Sequence, residues 1–518
     1  MDRTGPRLRY GSRGMSGRGL RDHFSWPLSL EAVWLMSPLF LVAVVALLSP
    51  VMPHDYFWAL VQGRACVQLG AIPRENAFLF TMPAEAPFFD QPWLAQLAMF
   101  GAYTLGGHSL NVVVLALCLC LGLALAMDAA LQLGADARAV ALIALLSVTI
   151  FGFGASVRSQ MFAYPCFTAM LRIASAPGGR IDPKGALASA GVAALWANVH
   201  GSFVLAPLVM AAPLAVSLFK TLTGREPASA LRARSLRFLA GTAGTFVNPA
   251  GPLVYLYVVR LGRAMNVAGK THVIEWQAPR LSSTGGALFL VLFGVSLVAL
   301  LRFRRRIVPE VSLSFVVLGL LSLLSGRFQD WWALAAPVAL GPLFPARATA
   351  SHVPRAKSLA NAALIATFAA VLLLSLPGLP LFERVAAAGH LPYPGARVLG
   401  SQTPLRLGEL LLRAGYRGRL FHDQSLGGFI EWMLARDAPR QVAFVDQRFE
   451  LTPAELWRDY FTLAEARGDF RELLRRYDID AVLVNDETSA KLVDALKRDP
   501  RWLLRAQELR YSLFLLKR

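Results

Sequence analysis

His54-Asp55-Tyr56-Phe57-Trp58, Gly70-Ala71-Ile72-Pro73-Arg74-Glu75-Asn76 and Asp90-Gln91-Pro92-Trp93 follow the first apolar stretch of the chain. Residues 31–52 are apolar enough to enter and cross a bilayer, and an acidic residue appears almost where they end. Asp55, Glu75 and Asp90 then lie among aromatics and prolines. A carboxylate at the edge of a membrane is costly unless it is paired or used. This stretch therefore reads as the outer loop of a membrane protein, spanning 53–108, with acid–base chemistry in it.

The composition agrees. Of 518 residues, 55% are hydrophobic and 16% charged, with a mean hydropathy of +0.48. That excludes an ordinary soluble domain. The net charge of +19 does not signal nucleic-acid binding, because Arg and Lys fall in short clusters between apolar segments and form no basic face with interleaved aromatics. The four cysteines show no CxxC or Cys/His ligand spacing. Cys118, Cys120 and Cys166 lie in apolar segments, and Cys66 lies in the polar loop.

Apolar segments near 33–52, 109–131, 138–155, 160–176, 185–200, 202–220, 236–250, 285–302, 308–325, 328–346 and 359–380 predict about eleven spans. Segment 93–106 is apolar but short, and ends at Gly106-Gly107. Read as a surface helix, it leaves every basic cluster on one side: the Arg-rich start, Arg172/Arg180/Lys184, Lys220 to Arg237, Arg302-Phe-Arg-Arg-Arg306, and Arg347 to Lys357. The positive-inside rule then puts the N-terminus in the cytoplasm and the C-terminus outside. The same choice sends Asp55, Glu75, Asp90, Arg158, Gln160, His200, Asn248, Glu275, Arg327 and Asp330 to the outer face. Trp331-Trp332 reads as part of an interfacial aromatic belt.

The predicted organisation is a basic cytoplasmic segment (1–30), a transmembrane domain (31–384) and a soluble extracytoplasmic α/β domain (385–518). In the last, 418–423, 441–446 and 480–485 read as strands and 427–434, 453–467, 468–477 and 487–498 as helices. The tail 502–516 reads as a closing hairpin. This alternation predicts a small, largely parallel sheet. Gly427-Gly428 is no dinucleotide fingerprint.

The chain resembles the bacterial GT-C-type polytopic membrane glycosyltransferases. The resemblance rests on Asp55-Tyr-Phe-Trp58, Gly63-Arg64, Gly70-Ala-Ile-Pro73, Asp90-Gln-Pro-Trp-Leu94, Arg158-Ser-Gln160, Trp196-Ala-Asn-Val-His-Gly-Ser-Phe203, Asn248-Pro-Ala-Gly251, Ile274-Glu275-Trp276 and Phe444-Val-Asp446-Gln-Arg448. It departs from that pattern at Phe57, Ala59 and Ser159. The resemblance implies an inverting transferase of the inner membrane that moves a sugar from a polyprenyl-phosphate donor to a glycan, lipid or protein acceptor at the outer surface. It implies Asp55 as the catalytic base.

The chemistry of the residues is compatible with this. Inverting transfer needs a base for the acceptor hydroxyl and cations for the departing phosphate. Asp55 is the first candidate base, against an ordinary helix-capping aspartate. Asp90 and Glu75 are the next, against surface acids. Arg158 and Arg327 are candidate phosphate clamps, against arginines snorkelling at the interface. Gln160, Asn198 and His200 are candidate substrate ligands, against packed polar side chains. Glu275 beside Trp276 reads as a sugar-stacking pair, against the aromatic belt. No cofactor is predicted; a divalent ion is compatible with the chain but not indicated by it. Other readings are a transporter or flippase of a lipid-linked or small polar substrate, an O-antigen-ligase-like or polymerase enzyme, and a non-catalytic scaffold. The absence of an internal repeat argues against the transporter.

Overall fold

The computed structural model describes residues 19–23, 29–154, 156–176, 181–264, 274–346, 358–378, 396–400, 402–449 and 452–517. Most of the basic segment 1–30, the basic loop 347–357 and the expected domain junction near 384 lie outside these residues.

Each apolar segment coincides with a helix. Leu30–Leu48, the second half of Trp93–Gln132, Ala137–Gly154, Ala163–Ser175, Pro183–Val199, Leu205–Leu222, Ala228–Gly244, Thr284–Arg302, Pro309–Leu324, Gln329–Leu340 and Ser358–Leu374 form a helical bundle. Leu30–Leu48, Trp93–Gln132, Gly201–Leu222 and Thr284–Arg302 are long and apolar enough to cross a membrane. The helix predicted at 236–250 instead runs from Ala228 to Gly244. Its basic first half is not a loop, because its arginines are paired: Arg234 with Glu226 at 2.9 Å and Glu310 at 3.4 Å, and Arg237 with Asp182 at 3.0 Å. Buried cations persist when partnered in this way. Trp331 and Trp332 are not belt residues. They are 3% and 2% exposed, with Trp332 against Phe289, Phe293 and Phe315 and Trp331 against Tyr164, Phe167 and Trp196.

The stretch 53–108 is largely helical. Pro53 opens the helix Pro53–Leu69 at a first-turn position where its missing N–H costs nothing. Gly70, at φ 63°, ends it in the left-handed conformation. Cys66 therefore lies inside a helix, not a loop. Trp93–Gln132 is broken at Gly106 (φ −152°, ψ 21°) and Gly107 (φ 64°, ψ −157°). The segment 93–105 is thus set at an angle to the apolar run that follows. Asn76 organises the turn between the two helices: its amide nitrogen donates to the carbonyls of Leu79, Met82 and Pro83, and its oxygen accepts from Leu79 N.

The C-terminal region holds a four-stranded sheet in the order β1-β2-β4-β3: β1 Arg419–His422, β2 Ile479–Asn485, β3 Trp502–Glu508 and β4 Tyr511–Leu516. Only β1 and β2 are parallel; β2–β4 and β3–β4 are antiparallel. The largely parallel sheet expected from sequence is therefore corrected to a mixed one. The reason is the fate of 441–446, which joins no strand of the sheet. It pairs instead with the 53–108 stretch, where Val442 N and Ala443 N donate to Phe78 O and Phe80 N donates to Ala443 O.

Alternation along the strands serves two cores. Leu420, Ala481, Leu483 and Leu513 join the core of the helical bundle. Phe421, Val482, Val484 and Phe514 face a second core with Phe444, Trp457 and Tyr460. The glycine pair explains how closely the C-terminal lobe seats. A Cβ at Gly428 would lie 2.4 Å from Trp58 N, and one at Gly427 2.4 Å from Val445 O. Helix Gly427–Leu434 thus packs backbone-close on helix Pro53–Leu69. Arg64 holds its C-terminal end, donating to the carbonyls of Glu431, Trp432 and Ala435 with its guanidinium 4.3 Å above the Trp432 ring.

Beneath this contact Glu431, Asp446 and Arg448 are almost wholly buried. Arg448 Nε donates to Asp446 Oδ2 at 2.7 Å. Burial and the adjoining Asp446 carboxyl push the Glu431 carboxyl well above its usual range, against the opposing pull of Arg448. A raised folded-state value stabilises below the unfolded carboxyl value and loses that stability as pH rises through the folded value. Glu431→Gln, which is neutral at every pH, should therefore flatten the pH dependence of unfolding and make the lobe more stable than wild type on the alkaline side. Thermal unfolding of both proteins across pH 4–9 checks this; an unchanged slope would remove Glu431 as the cause.

Candidate active site

Asp55 occupies the first turn of helix Pro53–Leu69. Its neighbours Tyr56, Phe57 and Trp58 are buried. Tyr56 Oη bonds His108 Nδ1 at 2.7 Å, and Phe57 packs on Phe429. These anchors fix the helix and leave the Asp55 side chain 43% exposed. It is not a capping residue, since the helix start at Met52 carries no side-chain cap. Instead its Oδ2 stands 3.9 Å from Arg158 Nη1.

Arg158 sits on the turn before the short 3-10 helix Ser159–Phe162 and is extended (φ −154°, ψ 167°). Its Nη1 also donates to Glu275 Oε2 at 3.0 Å. On the far side of Glu275, Oε1 lies 3.9 Å from Arg327 Nη2. Arg327 is carried by the turn Gly326–Phe328, its guanidinium 4.6 Å from the Trp276 ring. The Trp276 ring thus carries a cation on its face. Four residues distant in sequence thus form one chain, Asp55–Arg158–Glu275–Arg327.

The electrostatics follow from this chain. Burial alone would raise the Glu275 carboxyl, but Arg327 and Arg158 overcome it and hold the group at about 2, so it is a carboxylate at any physiological pH. Burial would lower Arg158, yet Glu275 and Asp55 reverse that and raise it. Desolvation, with Arg327 and Arg158 nearby, holds the His200 imidazole well below its usual value and therefore neutral. His200 Nδ1 bonds Ser202 Oγ at 2.8 Å and accepts from Ser202 N at 3.1 Å.

Gln160 is 2% exposed and forms the other border of the cluster. Its amide nitrogen donates to Tyr164 Oη at 3.0 Å and to Asp330 Oδ2 at 3.1 Å, and Tyr164 Oη donates to the same Asp330 oxygen at 2.8 Å. Sequence reading placed Asp330 among the outer polar residues without assigning it to the site. It passed over Tyr164, which is hidden in an apolar helix. The i, i+4 spacing of Gln160 and Tyr164 was the one available signal.

The remaining candidates stand apart from the chain. Glu75 is exposed and forms an isolated bridge with Pro87. Asp90 is 1% exposed; burial, with the Asp90 carboxyl as a lesser cause, pushes the Cys66 thiol up. The adjacent Gln91 donates to Ala197 O at 2.7 Å, which ties this stretch to the turn carrying His200. Asn198 is a brace: its oxygen accepts from Trp93 Nε1 at 2.8 Å, and its nitrogen donates to Ala194 O and Val247 O. Among the described residues, no group of three His, Cys, Asp or Glu side chains is placed to hold a metal ion.

No protein-family model and no curated protein matches the chain in sequence. Solved structures do match its fold. Superposition on ArnT from Cupriavidus metallidurans bound to undecaprenyl phosphate gives a TM-score of 0.51 at 14% identity, covering 95% of this chain and 98% of that one. The archaeal oligosaccharyltransferase AglB from Archaeoglobus fulgidus, in complex with an inhibitory peptide and a dolichol-phosphate, gives 0.54 at 13% identity, covering 93% and 74%. The mycobacterial arabinofuranosyltransferase AftD gives 0.52 at 14% identity, covering 94% of this chain but 41% of its own. The chain therefore shares its fold with these three solved structures, over 93–95% of its length.

Proposed function

We propose that the protein is an inverting glycosyltransferase that takes a sugar from a polyprenyl-phosphate donor at the outer surface of the cytoplasmic membrane. The observation that carries this reading is the half-exposed Asp55 carboxylate 3.9 Å from Arg158, which Glu275 links in turn to Arg327. The shared fold supports it, as do the lipid phosphates bound by ArnT and AglB. Asp55 takes the proton of the acceptor hydroxyl. The acceptor oxygen attacks the anomeric carbon as the bond from that carbon to the phosphate oxygen breaks. Arg158 and Arg327 hold the departing phosphate, offering guanidinium forks to its oxygens. About eleven spans, a cytoplasmic N-terminus and an outer C-terminal lobe complete the proposal. The lobe seats directly on the helix that bears Asp55, so it would frame the acceptor side.

The test is a transfer assay with the purified protein in vesicles, a radiolabelled polyprenyl-phosphate sugar and a glycan, lipid or protein fraction. Expected is label on the acceptor with the anomeric configuration inverted. Movement of intact donor across the bilayer without transfer would replace this reading with that of a flippase.

A further inference from the structure

Glu275 is an odd companion for two phosphate-binding arginines, because it already occupies them. Its carboxylate is shared between them, one oxygen 3.0 Å from Arg158 and the other 3.9 Å from Arg327. A phosphodiester offers the same feature, two anionic oxygens on one centre, and guanidinium groups recognise both anions through the same forked N–H donors.

Each arginine has a second contact besides Glu275. Arg327 is packed on the Trp276 ring at 4.6 Å. Arg158 has Asp55 on its other side at 3.9 Å. The Glu275 side chain does not hold its own backbone. Ser325 Oγ donates to Glu275 O at 3.3 Å, and Gly326 N donates to Gln277 O at 2.9 Å. The carboxylate is 34% exposed, so it has somewhere to go while its main chain stays stitched to the 325–327 turn.

We infer that Glu275 competes with the donor's phosphate for Arg158 and Arg327, and must swing away for the donor to bind. The inference rests on the transferase reading above. Charge is conserved in the exchange: one anion leaves the two cations as another arrives, with Asp55 unchanged. The same competition acts after transfer. Breaking the bond from phosphate to sugar turns a phosphodiester into a polyprenyl phosphomonoester of greater negative charge, which two arginines hold more tightly. Return of Glu275 helps to expel it. Glu275 thus sets how easily donor enters and product leaves.

The experiment measures polyprenyl phosphate affinity, with transfer kinetics alongside, for wild type, Glu275→Gln, Glu275→Ala, Arg158→Ala and Arg327→Ala. Removing a charge-assisted competitor should tighten binding about tenfold or more in both Glu275 variants. KM and kcat should fall together as product release slows. If both variants bind the lipid phosphate no better, or worse, than wild type, Glu275 is a positioning residue and the competition is wrong. If wild type binds no polyprenyl phosphate, or the arginine variants bind it as well as wild type, the donor assignment itself fails. If the arginine variants lose binding while the Glu275 variants do not gain it, only the present inference fails.

Discussion

Asp55→Asn should abolish transfer while leaving the donor bound. The amide keeps the size of the carboxylate, and the buried Tyr56, Phe57 and Trp58 keep the helix seated, so the change touches little beyond the charge. An amide cannot accept the proton of an acceptor hydroxyl. Loss of a positioned general base typically lowers the rate about 100- to 10,000-fold. Donor affinity should change little or rise slightly, because Asp55 is an anion beside the arginine proposed to hold the phosphate. The check is kcat with saturating donor, together with a direct binding measurement on the same protein. Wild-type turnover in Asp55→Asn would move the search for the base to Asp90 or Glu75, both of which stand apart from the cluster.

Arg158→Ala should damage both quantities. Arg158 contacts Asp55 and Glu275 at once. Its loss removes a cation from the donor phosphate and leaves two carboxylates facing each other across the gap. A charge-assisted hydrogen bond contributes about 1.5–3 kcal/mol, so donor affinity should fall about 10- to 100-fold. Turnover at saturating donor should fall as well, because the leaving phosphate gains charge as its bond to the sugar breaks. Asp55→Asn, by contrast, should leave affinity intact. Measuring the two variants side by side distinguishes a proton-transfer defect from a phosphate-binding defect. Arg158→Lys should recover part of the binding and less of the turnover, because an ammonium replaces the charge but not the fork.

Much of the fold is readable from the chain itself. The helices were, because about 20 apolar residues in a row have few other uses and the helix ends are marked by Pro and Gly. The break at Gly106-Gly107 was legible for the same reason. The GT-C likeness was carried by short motifs in order, and it holds in the fold. The helix Gly427–Leu434 and the hairpin of β3 and β4 followed from local periodicity.

What failed were choices that depend on partners far away in sequence. Gln441–Asp446 has the composition of a strand and pairs like one, but with Phe78 and Phe80, more than 300 residues distant by the numbering. A basic run at 228–237 reads as a loop until Glu226, Glu310 and Asp182 neutralise it. Trp331 and Trp332 read as interfacial until a shell of aromatics buries them. Composition along the chain marks which residues could do chemistry, because a polar side chain at the end of an apolar span needs a partner or a use. Packing alone joins Asp55, Arg158, Glu275 and Arg327 into one chain, sets Asp330 and Tyr164 at its border, and leaves Glu75, Asp90 and Asn198 outside it. Pairing of charges depends on distance in space, and the turns at 158, 275 and 327 come together only when the helices between them pack.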